Sequence, residues 1–365
     1  MKIHKAHKFR IYPNQEQQTI INKTIGCCRY VFNHYLAKRK DFYRTENKTM
    51  NYNACSADLT KLKKDLLWLK EAESTALQSS LKDLDDAYSR FFRKQNQFPK
   101  FKSKRKSSQS YTSKMNIAIV DNKLKLPKLG LVKFAKSKEV NGKIISATVR
   151  RNPSGKYFVS ILTETEAKKL PYIGNHIGLD LGTKYFAISS DGEFFENPKY
   201  LRKYEKQLIK VQRSLSRKQE KAKKENKKLN DCFNYQRNKA ELARLHERIT
   251  NCRNDYLQKL STKLIRENQT ISIEDLQVSN MIKNHNLAKS IADASWARFR
   301  TMLEYKANWY GRIIIAVDPK YTSQTCNSCG YVAKENRPNQ ATFKCVGCGH
   351  EDNADINAAK NIKKE

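Results

Sequence analysis

Ile177-Gly178-Leu179-Asp180-Leu181-Gly182-Thr183-Lys184-Tyr185-Phe186-Ala187-Ile188-Ser189 decides the fold of the second half of the chain. It reads as two consecutive strands, Ile177 to Leu181 and Tyr185 to Ser189, with Gly192-Glu193 at the next turn. Asp180 stands inside the first, apolar strand. A carboxylate there is costly unless it is paired or binds a metal. The small residues around it let a phosphate approach the backbone closely. Alone the motif decides little, because a Gly-flanked Asp is also common at turns.

Two further acids change that. In Ile271-Ser272-Ile273-Glu274-Asp275-Leu276 a β-branched strand ends in a carboxylate pair. Glu274 continues the buried alternation, whereas Asp275 is expected to cap or to face solvent, and an ordinary helix N-cap is the plain alternative. In Asn353-Ala354-Asp355-Ile356-Asn357-Ala358-Ala359, Asp355 opens the last helix. An N-cap would explain it, but Ala358 and Ala359 allow close packing on a sheet that would bring Asp355 beside the other two acids. Asp352 is a nearby decoy.

A strand-borne Asp, a strand-end Glu and a helix-borne Asp, in that order, suit a ribonuclease H-like arrangement. Clustered like charges need cations to ionise together. Two divalent ions about 3.5–4 Å apart would activate water and stabilise a leaving 3′ oxygen. Mg²⁺ is the natural choice, being hard and oxygen-seeking.

The composition fits such chemistry. The 365 residues carry 72 Lys and Arg against 36 Asp and Glu, a net charge of +36, and 39% are hydrophobic. That charge is spread along the whole chain, so a polyanion is the expected partner and nucleic acid the obvious one. No stretch reaches the roughly 18–20 consecutive apolar residues of a membrane helix. No apolar run follows the basic N-terminus as in a signal peptide. A cytoplasmic protein is expected, nucleoid-associated when bound to DNA, with its nine cysteines reduced.

Four of those cysteines form Cys326-x₂-Cys329, fifteen residues, then Cys345-x₂-Cys348, and Gly330 and Gly349 follow the two pairs. This spacing predicts one structural Zn²⁺ held by four thiolates in two knuckles. A closed shell leaves no position for substrate. The second pair ends seven residues before Asp355, so the module is expected to fix the start of the last helix. His350 is not needed as a ligand. Cys27, Cys28, Cys55, Cys232 and Cys252 show no ligand spacing and read as core or surface residues.

Elsewhere, residues 1–12 read as a strand and 15–95 as helices, with apolar stripes such as Ile21, Ile25, Cys28, Val31, Phe32 and Tyr35. Residues 98–114 read as a basic, Ser-rich connector. Short strands follow over 117–120, 124–126, 131–134, 144–149 and 157–162, suggesting one β domain interrupted by the helices. Residues 199–268 read as two long helices, and between Asn197 and Thr250 there are 17 Lys/Arg against 6 Asp/Glu. Such a pair is expected to contact phosphates. A strand at 270–273, a helix at 295–310 and a strand at 313–317 complete the pattern.

The motif order resembles the TnpB (OrfB) family of transposon-associated nucleases, which is similar to compact type V CRISPR effectors. KFRIYPNQEQ (8–17), FPKFKSKR (98–105), GLDLGTKYFA (178–187), SIEDL (272–276), SWARF (295–299), LEYKANWYGR (303–312), TSQTCNSCG (322–330) and DINAAKNI (355–362) carry the resemblance, which covers essentially the whole chain. It implies a multidomain α/β fold. A wedge β-barrel (1–15 and 112–168) is interrupted by a helical recognition lobe (16–111). A RuvC-like nuclease of the ribonuclease H fold (169–320 and 351–365) follows, with an inserted zinc-ribbon module (321–350).

The resemblance further implies an RNA-guided DNA endonuclease encoded by an insertion sequence, with Asp180, Glu274 and Asp355 as its catalytic carboxylates. Its partners would be one guide RNA per protein and a DNA target, double- and single-stranded, beside a transposon-associated motif. Tyr52, Ser56 and Gln78 match positions implicated in reading that motif. There is one departure: many members have Asp-Arg before the last catalytic Asp, where this chain has Asn353-Ala354.

Three alternatives are weighed. A nuclease-inactive RNA-guided repressor would not need all three acids. An RNA-independent zinc-ribbon DNA-binding protein leaves the acids without a role. A single-strand transposase would need a Tyr nucleophile with a metal-binding His pair, which the seven histidines do not supply.

Overall fold

The computed structural model describes residues 1–105 and 108–364. Lys106 and Ser107 of the basic connector, and Glu365 at the end of the expected nuclease part, lie outside the described residues. The chain divides into two units, Met1–Glu166 and Ala167–Glu365.

In the first unit, β1 (Lys2–Tyr12) leads into α1 (Gln15–Glu46) through a capping box. The Asn14 side chain accepts from the Gln17 backbone N–H at 2.8 Å, and Gln17 Oε1 accepts from the Asn14 N–H at 3.1 Å. Two more helices follow, α2 (Tyr52–Asp65) and α3 (Ser74–Phe92), joined by a 3₁₀ turn at Leu67–Glu71. The expected apolar stripes are buried: Ile21, Val31, Tyr35, Leu77 and Leu84 are at most 1% exposed.

The strands are β2 (Gln109–Ser113), β3 (Ala118–Val120), β4 (Lys123–Leu126), β5 (Gly130–Phe134), β6 (Lys143–Arg151) and β7 (Tyr157–Glu166). They join β1 in one antiparallel sheet ordered β2-β6-β7-β1-β5-β4-β3. The N-terminal strand thus lies in the middle, paired along Lys2–Ile11 with β7, and the helices interrupt a single β unit. Two expectations are corrected. β2 falls within the stretch read as a connector: Gln109-Ser110-Tyr111-Thr112-Ser113 is too polar to read as a strand, yet it pairs with β6 at the sheet edge and buries Tyr111 and Ser113 alternately. Among the described residues β2 and β3 are not paired with each other, so the sheet is open by hydrogen bonding where a barrel was expected.

The second unit is built on a five-stranded sheet ordered β10-β9-β8-β11-β12. Its strands are β8 (His176–Leu181), β9 (Tyr185–Ser189), β10 (Phe194–Glu196), β11 (Thr270–Glu274) and β12 (Ile313–Val317). The first three form an antiparallel meander, while β11 runs parallel to both β8 and β12. Two long helices, α4 (Tyr200–Lys224) and α5 (Phe233–Glu267), link β10 to β11. Three more, α6 (Val278–Met281), α7 (His285–Ala294) and α8 (Trp296–Tyr310), link β11 to β12.

The core gathers Phe186, Leu257, Ile271, Ile273, Phe299 and Leu303. Within it, the Lys306 ammonium of α8 is buried and donates to Gln258 O (3.0 Å), Ser261 Oγ (2.7 Å) and Thr262 Oγ1 (2.8 Å) of α5. Burial pushes its pKa down to about 8. The small hairpin β13 (Thr342–Lys344) and β14 (Glu351–Asn353) closes the cysteine module, and α9 (Ala354–Lys364) ends the described chain, packed on β8, β9 and β11.

Candidate active site and metal centre

Asp180 and Glu274 stand at the carboxyl ends of neighbouring parallel strands. The ladder between these strands ends at Ile273 opposite Leu179, so one residue further these two acids come side by side. Neighbouring strands are about 4.8 Å apart. Glu274 is 9% exposed, and its Oε1 accepts from Thr322 Oγ1 at 3.2 Å. The next helix starts only at Val278, so the N-cap alternative for Glu274 falls away. Asp275 turns aside to pair with Arg300.

The third acid arrives through a close approach of backbones. Gly178 precedes Asp180 by two residues and so shares its face of the sheet. A β-carbon at Gly178 would lie 2.2 Å from Ala359 O and 2.6 Å from Lys363 N, and only glycine admits α9 at that height. Ala358 and Ala359 are at most 1% exposed, as the sequence suggested. One helical turn before Ala359 sits Asp355. The cap of α9 is Asn353, not Asp355: its Oδ1 accepts from the Asp355 N–H (3.0 Å) and the Ile356 N–H (3.2 Å). The Asp355 carboxylate is therefore spared for other work. Asp352, the decoy, is taken by Lys360 at 2.7 Å.

Electrostatics tie the three together. Asp180 is half-buried by surface area but densely surrounded. Burial, then the charges of Glu274 and Asp355, push its carboxyl up to about 8. Burial likewise raises Glu274 to about 7, against the opposing hydrogen bond from Thr322. A divalent cation beside these acids would favour their ionised, ligating form. Among the described residues, the cysteine quartet is the only set of three or more ligand atoms mutually within 4.8 Å. The three acids do not form such a set.

Sequence reasoning missed two residues here. Arg337 Nη2 lies 2.9 Å from Asp355 Oδ1 and also donates to Gln340 O at 3.0 Å. Thr322 holds Glu274. One arginine among 72 cations carries no local signature, and a Thr before a zinc knuckle carries none either. Only the placement of the cysteine module beside α9 singles them out.

In that module, Cys326 and Cys348 Sγ lie 3.8 Å apart, Cys329 and Cys345 Sγ lie 3.6 Å apart, and all four fall within 4.8 Å. Tetrahedral zinc with bonds of about 2.3 Å would set sulfurs about 3.8 Å apart, so donor type and spacing both fit a zinc ion. Gly330 and Gly349 adopt φ of 78° and 73°, and each N–H returns to the first cysteine carbonyl of its pair at 2.9 Å. The module grips α9 directly. Asn357 is fully buried. Its Oδ1 accepts from the Asn327 N–H (3.0 Å) and Nδ2 (2.7 Å), and its Nδ2 donates to Thr325 O (2.8 Å). Asn361 Nδ2 donates to Thr322 O and Thr325 O. His350 instead faces Asn327 Nδ2, 3.2 Å away. Cys27, Cys28 and Cys55 are buried, and Cys232 and Cys252 are partly so.

Tyr52 and Ser56 sit one turn apart on α2, half-buried, and Gln78 is exposed on α3. Lys82, one turn beyond Gln78, holds its ammonium 5.9 Å from the Tyr52 ring. The three residues thus lie on adjoining helical faces of the first unit, away from the carboxylates in sequence and in unit.

Known proteins resemble this chain along nearly its whole length. Residues 159–285 match the family model of OrfB from IS605, described as a probable transposase. Residues 296–362 match a Cas12f1-like TNB domain. The "Putative RNA-guided DNA endonuclease InsQ" of Escherichia coli K12 is 37% identical over 99% of this chain and 92% of that protein. The chain belongs to the TnpB (OrfB) family. A Streptomyces pristinaespiralis member named "Putative RNA-guided DNA endonuclease" is 36% identical over 99% of this chain and 89% of its own length. The Cas12f1 endodeoxyribonuclease of Sulfoacidibacillus thermotolerans is 37% identical over 33% of this chain and 29% of its own. A solved Cas12f1–sgRNA–target DNA complex aligns over 99% of both chains at 17% identity and a TM-score of 0.38, too loose a likeness to carry an argument. Residues 1–48 match a model described as a helix-turn-helix domain, yet in this TnpB-family chain they form β1 and the single long helix α1. Among the described residues no helix is long and apolar enough to cross a membrane.

Proposed function

We propose that this protein is an RNA-guided DNA endonuclease of an insertion sequence, with Asp180, Glu274 and Asp355 at its catalytic centre. The observation that carries the proposal is the adjacency of the three acids: two end neighbouring parallel strands, and the third is carried onto the same face by α9. The strand order, with an antiparallel meander extended by two parallel strands, supports the ribonuclease H-like reading of the second unit. The family names support guide RNA and DNA as partners. The +36 charge supports a large polyanion contact. We assign the first unit to a wedge interrupted by the helical recognition lobe, with Tyr52, Ser56 and Gln78 reading the flanking motif. Residues 169–320 and 351–365 form the nuclease, and 321–350 the zinc module. The setting is cytoplasmic, with the protein on the nucleoid when bound to DNA.

Asp180, Glu274 and Asp355 would hold two Mg²⁺ ions, which when bound supply charge neutralisation and a polarised water for phosphodiester hydrolysis. The protein's own contribution is positioning. Thr322 fixes the orientation of Glu274. Arg337, beside Asp355, presents a planar guanidinium suited to a phosphate oxygen, in a chain whose Asn353-Ala354 lacks the arginine found there in many relatives. The zinc module holds α9, and so Asp355, at the sheet. Sequence specificity would come from RNA–DNA pairing, and the cut would leave 5′-phosphate and 3′-hydroxyl ends.

The test is cleavage of matched DNA by the protein with its co-purified RNA. Wild type should cut in Mg²⁺, while Asp180→Ala and Glu274→Ala should retain RNA and lose cutting. Full activity in either variant refutes the assignment. Loss of DNA binding on RNA removal separates this reading from an RNA-independent zinc-ribbon protein.

A further inference from the structure

A cluster of cations borders a cavity beyond the end of the five-stranded sheet that carries the acids. This cavity of about 400 Å³ is lined by Thr183 and Lys184 from the turn after β8, Lys199 and Arg202 at the start of α4, and Lys289 and Ser290 of α7. Its acids are already engaged. Glu205 pairs with Lys289. Asp293 takes Arg253 at 2.6 Å through one oxygen and the Leu201 N–H at 2.9 Å through the other. Among the described residues Lys199 and Arg202 have no carboxylate partner, and Lys184 lies over the Tyr185 ring at 5.3 Å. Three unneutralised cations around one cavity repel one another unless an anion enters.

The frame of the cavity is fixed. Asn197 Nδ2 donates to Thr183 O at 2.9 Å, and Asn197 Oδ1 accepts from the Lys199 N–H at 3.3 Å. The turn after β8 and the start of α4 are thereby tied together. Lys199 itself is held at φ 44° and ψ 49°, a left-handed conformation that residues with a β-carbon rarely adopt and that collects at binding sites. Thr183 follows Asp180 by three residues, so the chain between them spans at most about 11 Å. A DNA strand advances about 3.4 Å per nucleotide along its axis, which makes that distance roughly three nucleotides.

We propose that this cavity is a phosphate cradle for the DNA strand being cut, in which Lys199, Arg202 and Lys184 hold a backbone phosphate a few nucleotides from the scissile one. The proposal rests on the nuclease reading, and it assigns these cations to strand binding rather than to chemistry.

The test is the double variant Lys199→Gln/Arg202→Gln, loaded with RNA and given a labelled single-stranded DNA oligonucleotide. The expected result is a KM raised about tenfold with kcat within about twofold. Each lost phosphate contact removes about 0.7 from the log–log salt slope of a single strand, so that slope between about 50 and 200 mM salt should become shallower by about 1.4. Unchanged KM and slope overturn the proposal, as does a fall in kcat at constant KM. Equilibrium binding of the same oligonucleotide is measured in parallel in an Asp180→Asn background. That arm reports on the cradle even if wild type proves not to cut, and unchanged binding there likewise overturns the proposal. Equal melting temperatures for variant and parent exclude misfolding as the cause. Weakened binding of free inorganic phosphate without any change in DNA binding would overturn the assignment to a nucleic-acid strand.

Discussion

Gly178 on β8 lies directly beneath the carbonyl of Ala359 on α9, leaving no room for a β-carbon, which would stand 2.2 Å from that oxygen. The obstacle is backbone, not a movable side chain. Gly178→Ala should therefore lift α9 and draw Asp355 away from Asp180 and Glu274. Overpacking of this kind costs about 1–3 kcal/mol, and a displacement of about 1 Å near reacting groups lowers rates by about a hundredfold. Cleavage assays beside thermal melts check this, and a variant that cuts at the wild-type rate would contradict it.

Asn353 caps α9 through two N–H groups, one of them that of Asp355. Asn353→Ala should lower stability by about 1 kcal/mol and slow cleavage. Asn353→Asp, which keeps an acceptor, should restore most of the stability. Denaturant titration of the pair, read against cleavage rate, distinguishes capping from a direct catalytic role.

The cysteine module is bound to the same helix through Asn357. A zinc-selective chelator should abolish cleavage in excess Mg²⁺, and added zinc should bring it back. Asn357→Ala leaves the Asn327 backbone N–H without its acceptor, while the Thr325 carbonyl keeps Asn361 and the Asn327 side-chain amide keeps His350. Each unsatisfied buried polar group costs about 1–3 kcal/mol, so this variant should lose stability even with zinc bound. Metal content and melting temperature, measured on the same samples, test both statements.

Lys306 offers a test by pH. Burial lowers its pKa to about 8 from 10.5, so between those values the unfolded chain binds more protons than the folded one, and stability contributed by this site rises with pH. Below about 8 both states are protonated and the full penalty stands. It amounts to about 3 kcal/mol at 1.36 kcal/mol per unit, less whatever the three oxygens around the ammonium return. Lys306→Met should remove this pH dependence. The stability difference between wild type and variant, followed from pH 7 to 10.5, should shift in favour of wild type as pH rises, and a flat difference would count against a charged buried lysine.

Much of this was readable from the chain because it rests on local signals. The strand around Asp180 shows in apolar alternation, the cysteine spacing is specific to a four-thiolate site, and Ala358-Ala359 announces a close helix contact. Glu274 was placed at its strand end by the same alternation. The misses have physical causes. β2 is an edge strand whose polar residues need bury only one face. Asn353 and Asp355 are both good caps by residue type, so sequence cannot say which one turns inward. Arg337 and Thr322 meet the acids only through tertiary packing of a module whose own sequence speaks of zinc.

The middle position of β1 has a consequence for how the protein is made. Its partner β7 is synthesised some 150 residues later, so at about 5–20 residues per second the first strand waits roughly 8–30 seconds on the ribosome with its β7 edge unpaired. Its lysines, Lys5 and Lys8 among them, guard that edge against self-association during the delay. The first unit can close only when residues 157–166 emerge, which makes its assembly late and dependent on nearly half the chain having left the tunnel.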